Sequence, residues 1–187
     1  YIEAVTKANE TFGNEDRRTI IIHAQTARED QLDSFVEQDI FPSFFPMHTF
    51  YWGDWHVNSV LGRERAYKIS PTNSALKKGL KFTSHHDAPV ALPSSIRVLS
   101  STVTRVSRSG EVIGPEERVN TYIGLKELTE WSAYQHFEEK SKGTIEKGKV
   151  ADFVILDKNP LKIDPMELDK LIVLATFKNG KQIYRKK

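Results

Sequence analysis

Three side chains able to bind a metal or move a proton each follow an apolar run. His23 follows Thr19-Ile20-Ile21-Ile22, His48 comes three residues after Ile40-Phe41-Pro42-Ser43-Phe44-Phe45, and Asp87 comes shortly after Leu80-Lys81-Phe82-Thr83-Ser84. Imidazole and carboxylate are the donors that suit Zn²⁺ and similar ions where sulfur is absent, and this chain has no cysteine. A carboxylate beside such an ion can also take a proton from water that the ion acidifies and later deliver it to a leaving group. Any one histidine at a strand end is more often a hydrogen-bonded structural residue than a ligand. Two histidines and an aspartate at equivalent ends of three runs bring a shared site level with that reading, and spacing alone goes no further.

Parallel strands would have to position them. Four β-branched residues in a row, Thr19 to Ile22, predict a strand buried on both faces. Before it, Ala4, Ala8 and Phe12 at helical spacing predict an amphipathic helix. After it, Leu32, Phe35 and Val36 mark the inner face of a helix over Ala27 to Gln38. The run from Ile40 to Phe45 reads as a second strand. Thr49 to Asn58, rich in aromatics with Gly53 and Asp54 at its centre, reads as a loop. Helical patterns cover 60–69 and 72–79, with a very short strand around Lys68-Ile69-Ser70, and Leu80 to Ser84 reads as a further strand. This βα rhythm is that of an α/β protein with parallel strands, in which functional groups gather at the strands' C-terminal ends.

The texture changes beyond Pro93. Ser94 or Ser95 can cap a helix to about Arg105, striped by Ile96, Leu99 and Val103, and a further helix pattern runs from Asn120 to Phe137. Short β-rich runs follow at Phe153–Leu156, Leu171–Phe177 and Gln182–Tyr184, and Asn179-Gly180 predicts a hairpin between the last two.

Composition narrows the function classes. The chain has 187 residues, of which 39% are hydrophobic and 28% charged, and a net charge of +2. The Lys and Arg residues are scattered apart from Arg185-Lys186-Lys187, which argues against nucleic acid as a partner. No apolar run approaches the ~20 residues of a membrane-spanning helix. With Tyr1 in place of an initiator methionine and no signal-peptide core, the chain reads as a processed or partial product, and its compartment is left open.

Local sequence carries a resemblance. Arg18-Thr19-Ile20-Ile21-Ile22-His23-Ala24-Gln25, Phe44-Phe45-Pro46-Met47-His48 and His85-His86-Asp87-Ala88-Pro89-Val90 resemble the strand-five, strand-six and strand-eight segments of the amidohydrolase superfamily. The stretch from Lys142-Gly143-Thr144-Ile145 through Gly148-Lys149-Val150-Ala151-Asp152 is similar to that superfamily's return into its small β-sandwich. The run His48-Thr49-Phe50-Tyr51-Trp52-Gly53-Asp54-Trp55-His56 resembles the subgroup that holds the N-substituted formamide deformylases, some of whose members carry the name exoenzyme regulatory protein.

That resemblance implies the C-terminal half of a TIM (β/α)8 barrel, strands five to eight, over residues 1–137, and part of a β-sandwich module over 138–187. It implies hydrolysis of a non-peptide carbon–nitrogen bond in a small-molecule amide with the help of a divalent metal, zinc being the first choice. His23 and His48 would be ligands, and Asp87 both a ligand and the general base. Trp52, Trp55 and His56 would line a substrate pocket, the two tryptophans being equally well explained by packing against the barrel rim. His86 would orient Asp87 from behind, with His85 as the other candidate, and His136 reads as a surface or core residue.

The superfamily's first-strand His-x-His pair and its fourth-strand bridging Lys or Glu have no counterpart among the 22 residues before His23. A whole barrel takes roughly 250 residues. A half barrel would expose sheet edges and apolar surface, so a second copy or an N-terminal half is expected as partner. The chain alone is expected to be inactive. The competing reading is a non-catalytic regulatory or interaction protein on the same scaffold.

Overall fold

A computed structural model describes residues 1–187 as two three-stranded sheets joined by helices. In the first sheet β1 (Thr19–His23), β2 (Ile40–Phe44) and β3 (Thr83–Ser84) run parallel in that order. β2 lies in the middle, and all five of its residues are buried. The helix α2 (Glu29–Glu37) turns Leu32 and Phe35 into the same core as Ile40, Phe44, Phe82 and Trp131, and α1 (Ile2–Phe12) adds Val5. Edge-on aromatic contacts run through this core, from Phe44 to Phe82 at 5.5 Å and from Phe82 to Trp131 at 5.3 Å. β1 departs from the expectation of burial on both faces. It is an edge strand, paired on one side only, and Ile22 is 56% exposed.

Two segments fold otherwise than their sequence predicts. Thr49 to Asn58 is not a loop: α3 (Met47–Trp55) covers most of it and passes into a π-helical turn, His56–Val60. Gly53 and Asp54, read as loop residues, are packing residues on that helix. A Cβ on Gly53 would lie 2.7 Å from Ile113 Cγ1, and Asp54 accepts hydrogen bonds from the hydroxyls of Ser107 and Ser109 at 2.7 and 2.6 Å. The short strand expected at Lys68-Ile69-Ser70 does not form. That segment links α4 (Gly62–Ala66) to α5 (Thr72–Lys77), and Ser70 has φ 45°, outside the extended region.

Its carbonyls are taken elsewhere. Arg105, fully buried just past α6 (Ser95–Thr104), donates to the carbonyls of Ile69 (2.6 Å), Ser70 (3.0 Å) and Ile113 (2.6 Å). Burial lowers its pKa to about 10, which still leaves the guanidinium charged at neutral pH, and three carbonyl acceptors offset the loss of water. At the other end of α6 the Ser94 hydroxyl accepts from the Arg97 amide, the cap the sequence signals.

The single helix read over 120–137 is two helices, α7 (Thr121–Leu128) and α8 (Glu130–Gln135), broken at Thr129, where φ is −129° and ψ −85°. The second sheet is an antiparallel meander of β4 (Phe153–Leu156), β5 (Val173–Lys178) and β6 (Lys181–Arg185). Asn179 and Gly180 turn between β5 and β6 with φ of 51° and 73°, the left-handed pair a two-residue hairpin needs. A 3₁₀ turn, Pro165–Lys170, and the residue after it set Leu168 and Leu171 against Leu99 and Val103 of α6, so the last segment shares a core with the helices before it. No helix is long and apolar enough to cross a membrane.

Candidate functional site

The C-terminal ends of β1, β2 and β3 meet around one ring. Phe45, one residue beyond β2 and fully buried, lies 5.6 Å from the His23 ring, 4.7 Å from His48 and 6.1 Å from Trp52, and it stacks on His85 at 5.2 Å and 19°. Phe45 thus forms an apolar floor, and the polar rings stand around it. The backbone brings them there by simple means. The Phe45 carbonyl accepts the His48 amide in the first turn of α3, and the Phe44 carbonyl accepts the His85 amide as β3 leaves the sheet.

His23 ends β1 with φ 68° and Asp87 has φ 53°, conformations uncommon for residues with side chains and found where surroundings over-determine them. Turned this way, His23 Nε2 comes within 3.6 Å of Asp87 Oδ2. His48 Nδ1 lies 3.1 Å from His56 Nε2, and Trp52 packs over the His48 ring at 4.9 Å. Burial, reinforced by the nearby imidazoles of His56 and His23, pushes the His48 pKa down to about 4. Burial also lowers those of His56 and His85, so all three present neutral rings at neutral pH.

The remaining candidates fall at different depths. His56 is nearly buried, at 8% exposure, rather than open to a pocket, whereas Trp55 points outward and is 56% exposed. His86 stays within its own turn, where Nδ1 accepts the Ala88 amide at 3.1 Å and so braces the segment that carries Asp87. His85 is the ring that enters the cluster, 4.9 Å from His23. His136, at the end of α8, is exposed and lies outside the cluster.

Two residues from the late helices support the short β3. Ser84 Oγ donates to Glu127 Oε2 at 2.7 Å, and Thr83 Oγ1 donates to Gln135 Oε1 at 2.6 Å. Glu127 is fully buried, and burial pushes its pKa up to about 8. No sequence signal marked it, because a glutamate on a helix ordinarily faces water.

As they stand, no three histidine or acidic side chains are arranged to hold a metal ion. The donor set fits one by its chemistry. The His48, His56 and His85 rings are held neutral, a carboxylate adjoins His23, and three buried ring nitrogens (His23 Nδ1, His56 Nδ1 and His85 Nε2) have no hydrogen-bond partner in the protein.

Residues 1–184 match the amidohydrolase family. The putative amidohydrolase YtcJ of Bacillus subtilis (strain 168) is 28% identical over 188 residues, which cover 99% of this chain and 35% of that protein. The N-substituted formamide deformylase of Arthrobacter pascens is 27% identical, over 89% of this chain and 31% of the relative. The crystal structure of an uncharacterized metal-dependent hydrolase from Pyrococcus furiosus superposes with a TM-score of 0.66 at 28% identity, over 86% of this chain and 32% of that one. The chain therefore spans about a third of the length of these relatives.

Proposed function

This chain belongs to the amidohydrolase family, and on that premise we propose that it is the part of a metal-dependent hydrolase that supplies three of its ligands, one of which, Asp87, is also its general base. The bond cleaved is a non-peptide carbon–nitrogen bond, in an amide or N-substituted formamide. The observation that carries this reading is the approach of His23 Nε2 to Asp87 Oδ2, at 3.6 Å, beside the neutral His48 ring. The substrate class and the metal dependence are those of the Arthrobacter pascens deformylase and the Pyrococcus furiosus metal-dependent hydrolase, carried over to this chain as part of the proposal.

A divalent cation, zinc being favoured by an all-nitrogen-and-oxygen donor set, would be held by His23, His48 and Asp87 and would polarise a carbonyl and acidify water. Asp87 accepts the proton of the attacking water on one carboxylate oxygen and returns it to the departing nitrogen. His23 holds that carboxylate in place. Phe45 and Trp52 keep bulk water from the far side of His48, and Trp55 offers an exposed apolar face to the substituent on nitrogen.

We read β1, β2 and β3 as strands five, six and eight of a (β/α)8 barrel, and β4–β6 as part of its sandwich module. The open edge of β1 and the exposed Val154 and Ile183 would then be covered by an N-terminal half or by a second copy. In that arrangement the chain alone has no hydrolase activity.

The test is Asp87→Asn in the longer protein, read by formate or amine release from N-substituted formamides and amides. Loss of kcat by at least about a hundredfold with zinc retained is expected for a general base. Unchanged turnover would end the reading. A wild-type protein with neither bound metal nor amidase activity would favour a regulatory scaffold instead.

A further inference from the structure

His56 resembles a pocket residue in sequence and behaves otherwise in the fold. It sits eight residues after His48, on the first position of the π-helical turn, and it is nearly buried. On an ideal helix that separation is about 12 Å along the axis. The two rings still meet, with centroids 5.3 Å apart. Single π turns inserted in helices are often found at functional positions.

A neutral imidazole has one N–H and one lone pair. Two ring nitrogens 3.1 Å apart are therefore hydrogen-bonded only when one donates and the other accepts. The tautomers of His48 and His56 are coupled by that requirement. If His56 Nε2–H donates, His48 must carry its own proton on Nε2, and the ring is closed to any cation. If His48 Nδ1–H donates, its Nε2 keeps a lone pair, at the cost of placing the His56 proton on the buried, unpartnered Nδ1. His48 Nε2 makes no hydrogen bond in the protein and is not among the buried unpartnered nitrogens, so it can be reached from outside. With Nδ1 committed to His56, Nε2 is the one nitrogen His48 has to offer.

We propose that His56 is a positioning residue that accepts a hydrogen bond from His48 Nδ1–H, fixing His48 in the tautomer whose Nε2 is free to bind a cation. The role resembles that of a partner group behind a metal-bound histidine, here supplied by a second histidine from the same helix. The proposal rests on the reading of His48 as a ligand, and its test separates the two. The full chain, labelled with ¹⁵N, is studied at neutral pH by long-range ¹H–¹⁵N spectra of its imidazoles, without metal and after titration with zinc.

The expected result is a His48 ring protonated at Nδ1 in wild type. In His56→Leu the ring should shift toward the Nε2-protonated form, with zinc affinity falling about tenfold to a hundredfold. In His56→Gln, whose side-chain oxygen can still accept, both should largely recover. Nε2 protonation of His48 in wild type, with and without zinc, would overturn the proposal. So would the same tautomer and the same zinc affinity in His56→Leu, while leaving the metal reading intact. A wild-type chain that binds no zinc yet holds His48 protonated at Nδ1 would support the histidine pair, and zinc content of the longer protein then decides the metal reading. The wild-type spectrum decides the matter even if His56→Leu fails to fold.

Discussion

β2 and β6 are each five residues long, yet every residue of β2 is buried and every residue of β6 is exposed. β2 has a strand on either side, and α2 packs against it. β6 has one neighbour, β5, and is joined to it by a two-residue turn. The difference separates two ways of fixing a strand. In β2 tertiary packing fixes the geometry, and the candidate site inherits it, since Phe45 and His48 follow directly from that strand. In β6 local pairing and turn chemistry suffice, and no candidate site residue lies there. A site that must hold rings a few ångströms apart is built where packing is over-determined.

Substitutions can break this contrast. Phe45→Ala should cost about 3–5 kcal/mol in urea unfolding, because it removes the ring against which three histidines and Trp52 pack. A loss below about 1 kcal/mol would mean that the floor is not tightly packed.

The next effect is one of pH. The buried Glu127 has a pKa raised from 4.5 to about 8, so the folded chain keeps a proton that the unfolded chain releases. Its contribution is therefore fully present below pH 4.5 and is lost as pH rises through about 8. Glu127→Gln, which needs no proton, should flatten that decline by about 2–3 kcal/mol between pH of about 5 and about 8. Glu139, exposed and paired with Arg18 at 2.7 Å, provides the opposite sign: its pKa is lowered from 4.5 to about 2. Its contribution is present above 4.5 and fades as pH falls through about 2, so Glu139→Gln should blunt acid sensitivity alone. Denaturation midpoints across pH check both. A single slope of one sign in both variants would refute the assignment.

Gly53→Ala should destabilise by about 1–3 kcal/mol by pressing on Ile113. Ile183→Ala, on the exposed β6, should stay within about 0.5 kcal/mol unless another chain covers it. A larger cost there would itself reveal that partner.

How much of this was legible in the sequence follows the same division. The Asn179-Gly180 turn, the Ser94 cap and the β-branched run of β1 were readable because each is specified by residues close in the chain. The helix α3 was not, since its Gly53 and Asp54 answer to Ile113, Ser107 and Ser109, more than fifty residues away. The strand expected at Lys68 to Ser70 was lost to a hydrogen-bonding partner at Arg105, 35 residues beyond Ser70. His23, His48 and Asp87 could be picked out by their place after strands. The burial of Glu127 and the inward turn of His56 depend on long-range packing and left no local mark.

Arg105 carries a last consequence. All three of its acceptors are peptide carbonyls, so the strap it forms recognises where the chain passes and is indifferent to which side chains pass there. The link from α4 to α5 can thus drift in composition without losing its course, whereas a lysine in place of Arg105, a single ammonium lacking the guanidinium's planar fork, would leave the crossing point of three segments unmoored.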